Sequence, residues 1–141
     1  MTFLTAIKTC FSKYITLQGR ARRAEYWWWV LFTIIAGIIL GGVDMIFFGV
    51  PELTGPTSGL FSLATLLPGL AVWVRRLHDV NRSGWWVFLI LIPLIGWLVL
   101  VIWAVTKGTS GPNRFGPDPI TGEEAPLSYT DSAIPPVNRG E

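Results

Sequence analysis

The residues most able to do chemistry lie in one short stretch, RRLHDVNRSGWW, residues 75–86. It holds three arginines, an aspartate and the chain's single histidine. Adjacent His78 and Asp79 could serve as two metal ligands or as a general base with its orienting carboxylate. A metal site needs three or four ligands, and the sequence has no second histidine and no cysteine pair. No nucleophile motif accompanies the dyad either, so no catalytic or metal-binding residue is assigned. On a helix, Arg75, His78, Asp79 and Arg82 fall at i, i+3, i+4 and i+7 and form one polar stripe. Asp79 can pair with either arginine of that stripe, which leaves a net positive patch. Arginine forks bind phosphate oxygens in a bidentate way, so an anionic lipid head is one partner for it. The other reading of the charges is internal, with Glu25 and Asp79 as salt-bridge partners and the arginines serving topology.

The elements that hold this stretch are strongly apolar. The chain has 141 residues, 51% of them hydrophobic and only 14% charged, with eight tryptophans and eight phenylalanines. Average globular domains carry about 25% charged residues, and the mean hydropathy of +0.50 points to lipid as the main solvent. Three apolar runs stand out: 26–48, 57–74 and 85–105. As helices they reach about 34, 27 and 31 Å, against a hydrocarbon core of about 30 Å. The second is short and is interrupted by Pro68-Gly69. The expected fold is an all-α integral membrane protein with about three transmembrane helices. A membrane domain covers 1–119, and 120–141 is a flexible, disordered tail. Eleven of the thirty-six residues in 106–141 are Gly or Pro, too few apolar groups to order it. Before the first span, Phe3, Ile7, Phe11 and Tyr14 share a helical stripe, predicting an amphipathic helix at the headgroup layer or on the protein's own spans.

Charge asymmetry orients the chain. Lys8, Lys13, Arg20, Arg22 and Arg23 precede the first run, and the loop at 49–56 carries Glu52 and no Lys or Arg. With Arg75, Arg76 and Arg82 in the next loop, the positive-inside rule puts the N-terminus and residues 75–84 in the cytoplasm. Three full spans would leave the tail outside, which Lys107 and Arg114 oppose. Pro93 and Gly96 offer an alternative, a re-entrant hairpin, which is tolerated where the broken backbone is buried in protein or lines water.

Other candidates are weaker. Asp44 lies near the outer end of the first run, where a helix-end role outweighs a proton relay. Gly37 and Gly41 allow close helix approach, to the second span or to a second copy. The single Cys10 excludes an intramolecular disulfide. No nucleotide loop or haem motif is present, so no cofactor is expected, and nothing points to nucleic acid.

Three boxes of this chain resemble the domain of unknown function 805 family, small bacterial inner-membrane proteins of the YhaH/YhaI type. They are Gly19-Arg20-Ala21-Arg22-Arg23-Ala24-Glu25-Tyr26-Trp27, then Arg75-Arg76-Leu77-His78-Asp79 with Arg82-Ser83-Gly84-Trp85-Trp86, and Gly108 with Gly111-Pro112-Asn113-Arg114-Phe115-Gly116. The resemblance spans about residues 3–119. Val80-Asn81 departs from it, where the family usually has Thr-Gly. It implies a multi-span protein of the bacterial inner membrane and no activity. The boxes make best sense if they meet at one membrane face, which favours an even number of crossings.

The resulting expectation is a non-enzymatic membrane protein. Its basic cytosolic collar, Arg20, Arg22, Arg23, Arg75, Arg76, His78, Asp79 and Arg82, contacts lipid heads or a partner protein, and Asn113, Arg114, Phe115 and Gly116 form a further box. One rival is an oligomeric transporter or channel subunit with Asp44, Pro68 and Pro93 along its path. The other is a membrane-embedded enzyme acting on phospholipid through His78 and Asp79.

Overall fold

The computed structural model describes residues 1–50 and 55–124. Helices dominate it: α1 (Phe3–Ser12), α2 (Arg23–Phe48), α3 (Pro56–Asp79), a 3-10 segment (Gly84–Leu91) and α4 (Ile95–Val105). Residues 51–54 of the 49–56 loop, with Glu52, and most of the proposed tail lie outside the described residues.

α2 and α3 are about 39 and 36 Å long, enough to cross the hydrocarbon core. Only 11% of the most apolar stretch of α2 and 33% of that of α3 are buried. Ile34, Ile38, Ile46, Leu60, Leu63 and Leu66 all face outward. A core helix of a water-soluble protein would hide such residues, so lipid is their medium.

The two helices meet at Asp44. α3 starts at Gly55 and Pro56 without a capping side chain of its own. The Asp44 carboxylate on α2 supplies the cap. It accepts from the backbone N–H groups of Thr57 (3.0 Å) and Ser58 (2.8 Å) and from both of their hydroxyls (2.7 and 2.6 Å). A Cβ at Gly55 would sit 2.2 Å from the Asp44 carboxyl carbon, so only glycine fits this approach. Asp44 is thus a helix-end residue, fully buried and engaged. Of the two packing glycines, Gly41 is buried, whereas a Cβ at Gly37 would meet nothing within 4 Å.

Pro68 sits inside α3. It lacks the N–H that would bond the Ala64 carbonyl, and an orphan carbonyl at membrane depth is costly. The Tyr14 hydroxyl donates to that carbonyl. The stripe expected on α1 packs partly on the protein itself: Phe3 meets Trp28 edge-on at 5.6 Å and Phe11 meets Trp29 at 5.2 Å. Leu4 and Ile15 stay exposed.

The third apolar run is not one helix. The 3-10 segment and α4 are joined by a reversal at Pro93-Leu94, where Ile95 N–H bonds the Pro93 carbonyl at 2.9 Å. Leu94 has φ 64° and ψ −73°, a γ-turn that costs a non-glycine residue backbone strain. Each arm is about 16 Å long, half of the hydrocarbon core. Uniform apolarity from 85 to 105 concealed the break, and Pro93 and Gly96 were its sequence signals. A Cβ at Gly96 would fall 1.9 Å from the Leu89 carbonyl oxygen, so glycine lets the arms close. Both arms return to the C-terminal end of α3. There Gly84 lies against Val74, and Val87 and Leu100 pack with Val74 and Leu77.

Tyr14→Phe should lower stability by about 1 kcal/mol by stranding the Ala64 carbonyl. The same change in a Pro68→Ala background should cost far less, because residue 68 then supplies the N–H. Thermal unfolding of both pairs in detergent measures the cycle; an equal cost in the two backgrounds would refute the assignment.

Candidate functional site

The end of the bundle where α2 begins and α3 stops gathers all three boxes. Leu77 to Arg82 closes α3: Arg82 N–H bonds the Leu77 carbonyl (2.8 Å) and Asn81 N–H that of His78 (3.0 Å). Asn81 holds the left-handed conformation, φ 58°, which glycine adopts freely and asparagine tolerates. The departure from Thr-Gly is therefore conservative in backbone terms.

Asp79 is the centre of the site. One carboxylate oxygen accepts from Arg20 Nε at 3.0 Å, and the other accepts from Arg76 Nη1. Both arginines spend their remaining donors on carbonyls. Arg76 reaches Ala104 (3.2 Å), Trp103 (3.4 Å), Ala21 (3.4 Å) and Thr106. Arg20 reaches Gly111 (2.6 Å) and Thr109. The last turn of a helix leaves carbonyls without intrahelical donors. At the end of α4 Arg76 takes those of residues 103 and 104, Arg23 takes Val105 (3.3 Å), and Thr106 takes Ile102. Gly108 passes so close to Asp79 that a Cβ would lie 2.0 Å from its carboxylate oxygen.

Arg75 pairs with Glu25 of α2. It is fully buried, and among the described residues its Nε and Nη2 have no hydrogen-bond partner. Cys10 of α1 is buried beside this pair. Burial, and next the Glu25 charge, push its thiol up to about 12.

His78 and Asp79 do not work as a dyad. His78 Nδ1 lies 3.1 Å from the Gly19 carbonyl, and its ring stacks on Phe115 at 3.9 Å and 3°. Asn113 Nδ2 donates to the His78 carbonyl (2.9 Å). Arg114 lies over the Phe115 ring (4.6 Å) and Arg82 over that of Trp103 (5.1 Å). Asp118 closes the last loop, accepting from Ile120 N–H (2.8 Å) and Gly111 N–H (2.9 Å); these backbone donors hold its carboxyl below the usual range. Among the described residues no group of three His, Cys, Asp or Glu side chains could hold a metal.

The structure therefore divides the arginines expected to form a collar. Arg20, Arg75 and Arg76 are buried, with exposures of 6%, 0% and 2%, and turn their charge inward with Asp79. Arg23 and Arg82 are exposed and Arg22 is half-buried. The stripe geometry paired Asp79 with Arg75 or Arg82; the carboxylate instead takes Arg76 and Arg20. Arg76 is one residue off the stripe, and Arg20 comes from a different box. The internal pairing of Glu25 was legible as the alternative to lipid contact. Gly108 and Tyr14 were placed by the sequence, in the third box and on the α1 stripe, but their roles against Asp79 and the Ala64 carbonyl were not legible. Glycine in the third box was the only signal for the first, and Pro68 the only one for the second.

These features define a small helical membrane protein whose polar residues are locked together at one end of the bundle. The chain belongs to the family described as protein of unknown function (DUF805), whose model matches residues 14–117. It is 48% identical over 110 residues to inner membrane protein YhaI of Escherichia coli K12, covering 77% of this chain and 90% of that protein. It is 45% identical over 107 residues to inner membrane protein YhaH of the same strain, covering 75% and 88%. A third relative, the uncharacterized protein YiiR, is 33% identical over 96 residues, covering 66% of this chain and 60% of YiiR. No solved structure matches. YhaI and YhaH are bacterial inner-membrane proteins, and the family carries no sign of an enzymatic activity.

Asp79→Asn should cost about 3–5 kcal/mol by leaving two buried guanidiniums without their counter-ion. Arg82→Gln, at an exposed position, should stay within about 0.5 kcal/mol. Unfolding in mild detergent compares them, and similar losses would remove Asp79 from the centre of the site. Cys10 should resist maleimide in the folded protein and react on unfolding in dodecyl sulfate; rapid labelling of the native form would contradict its burial.

Proposed function

We propose that this chain is a non-enzymatic inner-membrane protein with two crossings, α2 and α3, and a half-inserted hairpin. Both ends of the described chain lie in the cytoplasm, and the outward-facing basic residues contact anionic lipid heads. The observation that carries this reading is the convergence of the three boxes on one end of the bundle. Arg22, Arg23, Arg82 and Arg114 all project from that end, while Gly49, Val50, Gly55 and Pro56 at the other carry no cation. With an even number of crossings, Lys107 and Arg114 agree with the positive-inside rule instead of opposing it. Each exposed cation near an anionic surface contributes about 1 kcal/mol of attraction. The buried arginines hold the face together and leave these charges free.

The transporter alternative draws no support from its three named residues. Asp44 is consumed as a cap, Pro68 is buried, and Pro93 lies at the exposed tip of the hairpin. The phospholipid-enzyme alternative loses its base, since His78 and Asp79 face different partners.

Reporter fusions after Glu141 test the topology. A reporter active only in the cytosol should work, and one active only outside should fail; the reverse result would restore three crossings. Neutralising Arg23, Arg82 and Arg114 to Gln should weaken binding of phosphatidylglycerol about fivefold per charge, with little change for phosphatidylcholine. Equal retention of the two lipids by the native chain would overturn the lipid-head reading.

A further inference from the structure

The elements of this protein are spread unevenly along its two long helices. α1 and both arms of the hairpin pack on the end where α2 begins and α3 stops. Phe3 and Phe11 meet Trp28 and Trp29 in the opening turns of α2. Val87 and Leu100 pack with Val74 and Leu77 in the closing turns of α3, and Ala104 clusters with Tyr26 and Val72. From α1 the Tyr14 side chain reaches further, to the Ala64 carbonyl near the middle of α3. In the other half, α2 and α3 hold each other. Asp44 takes Thr57 and Ser58, and the Thr57 hydroxyl donates to the Leu40 carbonyl (3.2 Å). Ile38, Ile46, Phe47, Leu60 and Leu63 are exposed there.

This distribution gives the molecule a tapered profile. A helix with its side chains is about 10–12 Å across, so five elements at one end against two at the other make the first about twice as large in cross-section. Trp27, Trp85 and Trp86 are exposed at the wide end. Tryptophan anchors at the headgroup layer, which holds the extra elements within one leaflet. The network around Asp79 makes that end rigid. Arg76 ties α3 to the last turn of α4, and Arg20 ties it to the segment at 109–111. A rigid body wider in one leaflet tilts the lipids beside it, and in a flat bilayer that tilt is a deformation cost. Where the wide-side leaflet is convex its lipids are already splayed, and the cost falls; inclusions confined to one leaflet are sensitive to curvature for this reason.

We propose that the chain is a wedge in the cytoplasmic leaflet, and that the surface it fits is a bilayer bulging toward the cytoplasm, with that leaflet convex. The inference rests on the reading of two crossings and a half-inserted hairpin. It is independent of the lipid-head contact, since shape and not charge sets the preference.

The test uses the full chain in giant vesicles of pure phosphatidylcholine, which removes any effect of lipid charge. A small fluorophore is placed at the N-terminus or after Glu141, and a thin tube is pulled outward from each vesicle, so that the outer leaflet of the tube is convex. An impermeant quencher added outside then separates chains by orientation. Chains with the cytoplasmic end outward should be enriched in the tube about fivefold over a lipid dye, the ratio for about 1 kcal/mol of relieved deformation, and chains of the opposite orientation should be depleted. A ratio of one for both orientations, with the two ends on the same side, overturns the wedge and leaves the two-crossing reading standing. Ends on opposite sides of the membrane overturn that reading and the wedge with it. Leu91→Ser/Leu94→Ser keeps the soluble mass and draws the exposed hairpin tip toward the headgroups. With its fold checked by melting temperature, its enrichment should fall toward one; enrichment equal to that of the native chain would assign the effect to the soluble parts and overturn the wedge. Efficient disulfide pairing of two copies through Ile38→Cys in these vesicles would fill the narrow half with a second chain and overturn it as well.

Discussion

The end of the bundle where α2 begins and α3 stops is organised around one carboxylate. Asp79 accepts from Arg20 on one oxygen and from Arg76 on the other, and those arginines come from the first and second boxes. Their other donors hold carbonyls of the segment that follows α4. Three stretches far apart in sequence are thus fixed to one side chain. One carboxylate faces both guanidiniums, and their other donors reach backbone carbonyls, which is how the buried charges offset their desolvation. The glycines of the third box follow from it. Gly108 must be small to pass the carboxylate, and Gly111 has φ 72° where it gives its carbonyl to Arg20.

The same rule governs the rest of the membrane domain. Backbone polar groups at membrane depth need partners within the protein. Asp44 caps α3 from α2, Tyr14 serves the carbonyl freed by Pro68, and Arg76 and Arg23 finish α4. Ionisable residues inside membrane segments are functional candidates by default. Here Asp44, Arg75, Arg76 and Asp79 join elements to one another. What they leave available for function is the set of cations that the packing does not consume.

The two long helices were legible in the sequence almost to their ends. Runs 26–48 and 57–74 became Arg23–Phe48 and Pro56–Asp79, extended because polar residues continued each helix past its apolar part. Helical spacing also put Arg75 and Asp79 on one face. It did not reveal that this face points inward. An arginine that meets lipid heads and one that meets a buried carboxylate have the same neighbours in sequence, and only the partner's position distinguishes them. Arg20 lies 59 residues from Asp79, beyond any local pattern. The break in the third run was concealed for a related reason. Leu, Ile, Val and Trp suit a crossing helix and a half-inserted hairpin equally, so Pro93 and Gly96 had to carry the whole signal.

The hairpin and the arginine network also constrain each other. α4 has eleven residues, and its last turn is fastened to Arg76 and Arg23 while its start is pinned by the close crossing of Gly96 and Leu89. Straightening 84–105 into one crossing helix would relieve the strain at Leu94. It would also carry residues 103–106 to the far side of the bilayer and strip Arg76 of at least three carbonyls. Strain at one residue costs about 1–3 kcal/mol, whereas hydrogen bonds to charged groups contribute about 1.5–3 kcal/mol each. The balance favours the bent form, so the charges around Asp79 stabilise the turn nearly a half-membrane away.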